Sequence, residues 1–229
     1  MSDSLHDRIA RVIADVDSAA QRAGRTPRSV TLVAVSKTVG RDVVEEAYEC
    51  GLRHFGENRV QDAALKFSTP LPSDATLHMV GQLQSNKAMH ALKIFHMIES
   101  IDRKSLAVEL EKQAAKSGTI IPVLIQVNIA GEEQKAGCEP GNVSELVELT
   151  AHSAHLDLQG LMTIAPLVND PEEVRPVFSG LRVLRNRLRQ QVPTLQLDTL
   201  SMGMSNDYQV AIEEGATLVR IGRAIFEGN

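Results

Sequence analysis

Three groups of residues in this 229-residue chain have the types and spacing for chemistry. The first is Lys37, which ends the apolar run Val30-Thr31-Leu32-Val33-Ala34-Val35-Ser36. Such a run reads as a buried strand. In α/β folds the C-terminal end of a strand is where reacting groups are usually sited. A lysine there is expected to be partly withdrawn from water, which favours the neutral amine, and a neutral amine attacks a carbonyl carbon to form a Schiff base. A snorkelling or ion-paired lysine is the plainer alternative.

The second group is a pair of short segments, Ser201-Met202-Gly203-Met204-Ser205 and Ile221-Gly222-Arg223-Ala224. Ser201 offers a hydroxyl, Gly203 and Gly222 let the backbone approach an anion closely, and Arg223 can add a charge-assisted hydrogen bond. Together they suit a phosphate group. The simpler option is that Ser205 caps a helix starting near Asn206 and the glycines only make turns. The third group is Arg220, inside the strand-like Leu218-Val219-Arg220-Ile221. A buried guanidinium needs a partner, which is either an ordinary carboxylate or a ligand atom.

A Schiff-base amine and a phosphate site on one rim suit a phosphorylated aldehyde, and pyridoxal 5′-phosphate (PLP) carries both groups. Opposite its pyridine nitrogen, Arg220 donates a hydrogen bond and leaves that nitrogen unprotonated. Such a ring is a weaker electron sink than one facing a carboxylate. Other residues signal less. His54, His78 and His96 lack a metal-ligand spacing and read as core or edge histidines. Cys138, near Lys135 in a polar loop, reads as an ordinary free cysteine. The loop from Asn128 to Gly137 is a lid or a surface loop.

The elements that position these residues follow a regular rhythm. Leu5, Ile9, Val12, Ile13 and Val16 predict an opening amphipathic helix, closed by Gly24 and Pro27. Strands are then predicted at Val30–Ser36, Arg53–Phe55, Thr76–Val80, Ile94–Ile98, Ile121–Asn128, Leu156–Thr163, Leu195–Leu200 and Thr217–Ile221, with helical stretches between them. The helix over Glu172–Gln190 carries Arg182, Arg185, Arg187 and Arg189 on an expected solvated face. About eight strand–helix alternations in a single domain, residues 1–229, with one extra helix in front, predict an α/β fold of the (β/α)₈ TIM-barrel type; an open doubly wound sheet is the runner-up. In a barrel every strand's C-terminal end reaches one rim, which gathers Lys37, Gly56-Glu57-Asn58, Met162, Ser201–Ser205 and Gly222-Arg223.

Bulk properties narrow the function further. A net charge of -5 and an aromatic content of 3% give no basic field or stacking platform for nucleic acid. No apolar run is long enough for a membrane span, and the N-terminus lacks a secretory apolar region. Two cysteines, Cys50 and Cys138, make neither a disulfide framework nor a zinc site. These features point to a reducing, cytoplasmic setting. No docking segment stands out, so a monomer is expected.

Across these segments the chain resembles the pyridoxal phosphate homeostasis proteins, which are similar to the N-terminal domain of alanine racemase. The resemblance is carried by Leu32-Val33-Ala34-Val35-Ser36-Lys37, Phe55-Gly56-Glu57-Asn58-Arg59-Val60-Gln61, His78-Met79-Val80-Gly81-Gln82-Leu83-Gln84-Ser85-Asn86-Lys87, Gly160-Leu161-Met162-Thr163, Leu200–Asp207 and Val219–Phe226. It implies PLP on Lys37, Arg220 at the pyridine nitrogen, Ser201, Gly222 and Arg223 near the phosphate, and Asn58 and Met162 lining the cofactor. It also implies a protein of vitamin B6 and amino-acid homeostasis that holds, buffers or delivers PLP, with apo-enzymes as recipients and no established reaction. The ending Phe226-Glu227-Gly228-Asn229 departs from the family's usual Phe-Gly. The alternative is an amino-acid racemase, which needs an acid/base on each face of a carbanion. In alanine racemase the opposing tyrosine comes from a second domain of a partner subunit, whereas here the tyrosines are Tyr48 and Tyr208. A cofactor-free Schiff-base aldolase is a third option, against which Arg220 and Ser201 stand.

Overall fold

The computed structural model describes residues 3–132 and 136–227, so Lys135 and the tail residues Gly228 and Asn229 lie outside the described residues. The chain opens with α1 (Leu5–Arg22), started by a capping box in which the Ser4 hydroxyl accepts the Asp7 N–H at 3.1 Å. Its apolar stripe of Leu5, Ile9, Val12 and Val16 is buried. There follow β1 (Thr31–Val35), α2 (Arg41–Glu49), β2 (His54–Glu57), α3 (Val60–Lys66), β3 (Thr76–Met79) and α4 (Ala88–Ala91), the last entered through a 3₁₀ turn at Ser85–Lys87. The second half runs β4 (Met97–Ile101), α5 (Lys104–Ser117), β5 (Ile121–Gln126), α6 (Val143–Ala151), β6 (Leu156–Met162), α7 (Arg175–Gln191), β7 (Thr199–Ser201), α8 (Tyr208–Glu213), β8 (Leu218–Ile221) and α9 (Arg223–Phe226).

The strands form a closed parallel barrel in sequence order, with β1 paired to both β2 and β8. An open doubly wound sheet would leave β1 and β8 unpaired with each other, so closure decides between the two expected architectures. Buried Phe55, Ile98, Leu106, Leu110, Phe178 and Leu181 belong to the main apolar core. Burying one phenylalanine of this kind contributes about 2–3 kcal/mol.

The interior of the barrel is partly polar. Paired residues in a sheet share a face, and faces alternate along each strand. Val33 pairs with His54 on one side and Arg220 on the other, and Met162 pairs with Ser201. A small separate cluster of Met97, Leu124 and Met162 fills part of this interior. Beside it stand His78, Glu99, Ser201 and Arg220, all buried.

Two expected strands move. The fourth is Met97–Ile101 rather than Ile94–Ile98, and the seventh is Thr199–Ser201 rather than Leu195–Leu200. In both cases a polar residue read as a strand boundary is a strand member facing partners across the barrel. The arginines of α7 are not one solvated face either: Arg182 binds Glu214 at 2.8 Å, and Arg185 donates to the Leu197 carbonyl at 3.4 Å.

Candidate active site at the C-terminal rim

Lys37 sits in the turn just beyond β1, and its side chain is exposed. It is therefore not partly withdrawn from water, because β1 ends at Val35 and the turn opens at the rim. The peptide before it is fixed. The Ser36 N–H continues the ladder to the Gly56 carbonyl at 2.9 Å. The Ser36 hydroxyl donates to Glu57 Oε1 at 2.8 Å, and Lys66 Nζ donates to both the Ser36 carbonyl and Glu57 Oε1 at 2.7 Å. This clamp lies toward α3, outside the sheet, while Val33 and its pairing partner Arg220 share the inner face below the turn that carries Lys37. Among the described residues Lys37 makes no hydrogen bond or ion pair, which leaves its amine open to an incoming carbonyl. Asn58 follows β2 on the same rim and is half-buried.

The loops after β7 and β8 meet next to this turn. A Cβ at Gly222 would come 3.0 Å from the Val35 carbonyl, so the β8 loop runs against the end of β1. Gly203 has φ +94, a left-handed conformation that side chains rarely adopt. Asp207 braces its loop: Asp207 Oδ1 accepts the Met204 N–H at 2.6 Å. Burial pushes the Asp207 carboxyl up, against the Met204 N–H and the charge of Arg220. Ser205 does not cap α8. α8 starts at Tyr208, and the Ser205 hydroxyl instead accepts the Ala224 N–H at 3.3 Å. Arg223 is exposed and donates to Asn206 Oδ1 at 3.2 Å.

Ser201 faces elsewhere. It is fully buried, and its hydroxyl donates to Glu99 Oε2 at 2.5 Å while accepting from Arg220 Nη1 at 2.5 Å. The hydroxyl beside the β8 loop is that of Ser205. Arg220 also donates from Nη2 to the Thr163 carbonyl at 2.8 Å. A guanidinium has five N–H groups, so most of its donors remain unused among the described residues. Met162 is fully buried in the interior cluster, at the level of its pairing partner Ser201.

Behind Arg220 runs a chain of buried groups that the sequence did not reveal. Glu99 Oε1 accepts from His78 Nδ1 at 2.7 Å, and His78 Nε2 lies 3.0 Å from His54 Nδ1. Burial works to raise the Glu99 carboxyl, but the His78 hydrogen bond and charge, with Arg220 and Ser201, hold it below its ordinary value. Burial pushes Arg220 down, opposed by Glu99 and Asp207. The histidines line a cavity of 470 Å³ with Thr31, Thr76 and Thr217, residues from the N-terminal ends of the barrel strands.

Burial, aided by repulsion from His78, pushes His54 from 6.5 down to about 4. Burial lowers His96 as well. Between those two pH values the unfolded chain binds more protons at His54 than the folded one. Stability is thus complete above pH about 6.5 and falls as pH drops toward about 4. Urea unfolding across this window is expected to show that slope, and His54→Gln to flatten it; an unchanged slope in the variant would rule His54 out as a source.

Both cysteines are free, and burial pushes the Cys138 thiol up, which makes it a poor nucleophile. Among the described residues there is no group of three or more His, Cys, Asp or Glu that could hold a metal ion, and no helix is long and apolar enough to cross a membrane.

Residues 8–229 match the family described as alanine racemase, N-terminal domain. A pyridoxal phosphate homeostasis protein of Aquifex aeolicus is 45% identical over 220 residues, covering 96% of each chain. PipY of Synechococcus elongatus PCC7942, solved with PLP bound, is 37% identical with a TM-score of 0.85, covering 97% of this chain and 100% of that one. Alanine racemase from Streptomyces coelicolor shares the fold at 19% identity and a TM-score of 0.75, but the match covers only 58% of that chain. This chain belongs to the pyridoxal phosphate homeostasis protein family, built on the barrel of the alanine racemase N-terminal domain.

Proposed function

We propose that this protein binds PLP and holds it in reserve for release to PLP-dependent apo-enzymes, rather than using it on a substrate of its own. Lys37 would supply the amine that takes the cofactor's aldehyde carbon. Arg220 donates to the pyridine nitrogen. Gly222, Arg223 and Ser205 would bind the phosphate; Ser201 would serve this site through Arg220. Asn58 and Met162 would line the cofactor. When bound, PLP supplies an aldehyde that passes between amines.

The observation that carries the reading is the meeting at one rim of an unencumbered lysine, the Gly222 loop pressed against β1, and an inward guanidinium with unused donors. The donor set fits PLP: an amine for the aldehyde, a donor that cannot be deprotonated for the ring nitrogen, and N–H and guanidinium groups for the phosphate.

Support for a carrier over a racemase comes from the tyrosines. The Tyr208 hydroxyl donates to Asp15 at 3.1 Å and the Tyr48 hydroxyl to Asp74 at 2.7 Å. Burial pushes the Tyr208 phenol further up. Neither is free to act as the second acid/base opposite Lys37. Loaded protein incubated with a panel of L-amino acids in D₂O is expected to show no sustained exchange at the α-carbon. Deuterium incorporation over many turnovers would replace the carrier reading with the racemase one.

A further inference from the structure

The arrangement behind Arg220 has a function of its own. Glu99 and Ser201 are fully buried, and His78 and Arg220 are 2% and 4% exposed. A cation and a carboxylate in such a place are stable only when charge and hydrogen bonds are both satisfied. The expected solution is a direct bidentate ion pair, which would consume two N–H groups and turn the guanidinium fork toward β4. Instead Ser201 stands between them. It takes one N–H from Arg220 and passes the contact on to Glu99. Charge is thereby balanced at one remove, while most of the fork stays available. The fork's plane is fixed by two anchors, Ser201 on Nη1 and the Thr163 carbonyl on Nη2.

Glu99 itself cannot turn. Oε1 is taken by His78 and Oε2 by Ser201, and His78 is held from behind by His54. His54 is pushed down to about 4 and so is neutral near pH 7.

We infer that Glu99, acting through Ser201, is a positioning residue for Arg220: it balances the guanidinium's charge without occupying the donors that face the ligand ring, and so sets how firmly PLP is held and how its bound form titrates. The inference rests on the proposed placement of Arg220 at the pyridine nitrogen. Glu99→Gln keeps the volume but removes the charge. Its amide NH₂ then faces Ser201, whose hydroxyl must accept from both sides and loses its own acceptor. Ser201→Ala deletes only the relay and removes no charge.

The test is PLP titration of five purified proteins (wild type, Arg220→Gln, Glu99→Gln, Ser201→Ala and the Glu99→Gln/Arg220→Gln double variant), reading the dissociation constant and the pH dependence of the bound-cofactor absorbance. The Glu99 and Ser201 variants are each expected to hold PLP roughly tenfold more weakly, the size of one misplaced charge-assisted hydrogen bond. The absorbance midpoint of Glu99→Gln should move down by about one pH unit, since a negative charge has left the neighbourhood. Glu99→Gln combined with Arg220→Gln should bind no more weakly than Arg220→Gln alone. An altered Arg220→Gln beside Glu99 and Ser201 variants with wild-type affinity and pH profile would overturn the inference while leaving the Arg220 placement standing. A wild-type Arg220→Gln would overturn that placement, and the inference with it. Should Glu99→Gln fail to fold, Ser201→Ala decides the matter, because its affinity loss is either present or absent.

Discussion

Replacing Lys37 by alanine should abolish the visible absorbance that PLP gives on the wild-type protein, without disturbing the fold. The second half of this expectation makes the first informative. Lys37 is exposed and makes no hydrogen bond or ion pair among the described residues, so its truncation is expected to change stability by no more than about 0.5 kcal/mol. Loss of colour then reports loss of the amine and not of the barrel. The proposed phosphate loop and Arg220 remain, so weak, colourless retention should persist, reduced on the order of a hundredfold or about 2.8 kcal/mol. Lys66 cannot take over, because its ammonium is bound to Glu57 and the Ser36 carbonyl on the outer side of the sheet. The check is a PLP titration followed at visible wavelengths beside matched thermal melts. A variant that melts like wild type and still turns yellow would show that another amine carries the aldehyde.

Gly160→Ala should be the most damaging alanine substitution among the described glycines. A Cβ there would fall 1.9 Å from the Thr199 carbonyl oxygen and 2.7 Å from its carbon. Both are backbone atoms of the neighbouring strand, since Gly160 pairs with Thr199 across β6 and β7. No side chain can swing aside, and a closed barrel cannot splay one pair of strands without straining the next. β6 is already irregular there, its register against β5 shifting between Val123 and Leu124. We expect a loss of about 3–5 kcal/mol, above the ordinary range for overpacking. That is a large fraction of the stability of a typical domain. Gly141, with nothing within 4 Å of its would-be Cβ, is the control. Urea denaturation of both variants checks this; similar midpoints for Gly160→Ala and Gly141→Ala would show that the strands part more easily than their geometry implies.

The sequence made the rim legible and left the interior dark. Lys37, Asn58, Gly222 and Arg223 stand beside strand ends that local pattern finds, because β-branched runs and glycine turns are local signals. Closure of the sheet is not local: it depends on β1 meeting β8. Glu99 is not legible because the local pattern ends the fourth strand at Ile98, one residue short of it. A carboxylate usually ends a buried strand, and the groups that make this one tolerable are distant, with Ser201 lying 102 positions away. The available signal was the apolar flank on both sides, Met97-Ile98 and Ile101. Ser201 was read as a loop hydroxyl because the seventh strand is only three residues long. Its true partner sits two residues into β8, and the hydroxyl nearest the β8 loop belongs to Ser205, four positions later.

The polar core of the barrel also divides the site by its response to dissolved ions. Arg220 and Glu99 are sealed from solvent, where counter-ions do not penetrate and screening is slight. Arg223, at the proposed phosphate end of the site, is exposed, and its attraction for a phosphate there would fade over a Debye length of about 10 Å in 0.1 M salt. On the proposed placement of PLP, added electrolyte would loosen the grip on one end of the ligand while the other keeps its strength, so the ionic medium would act on the phosphate anchor alone.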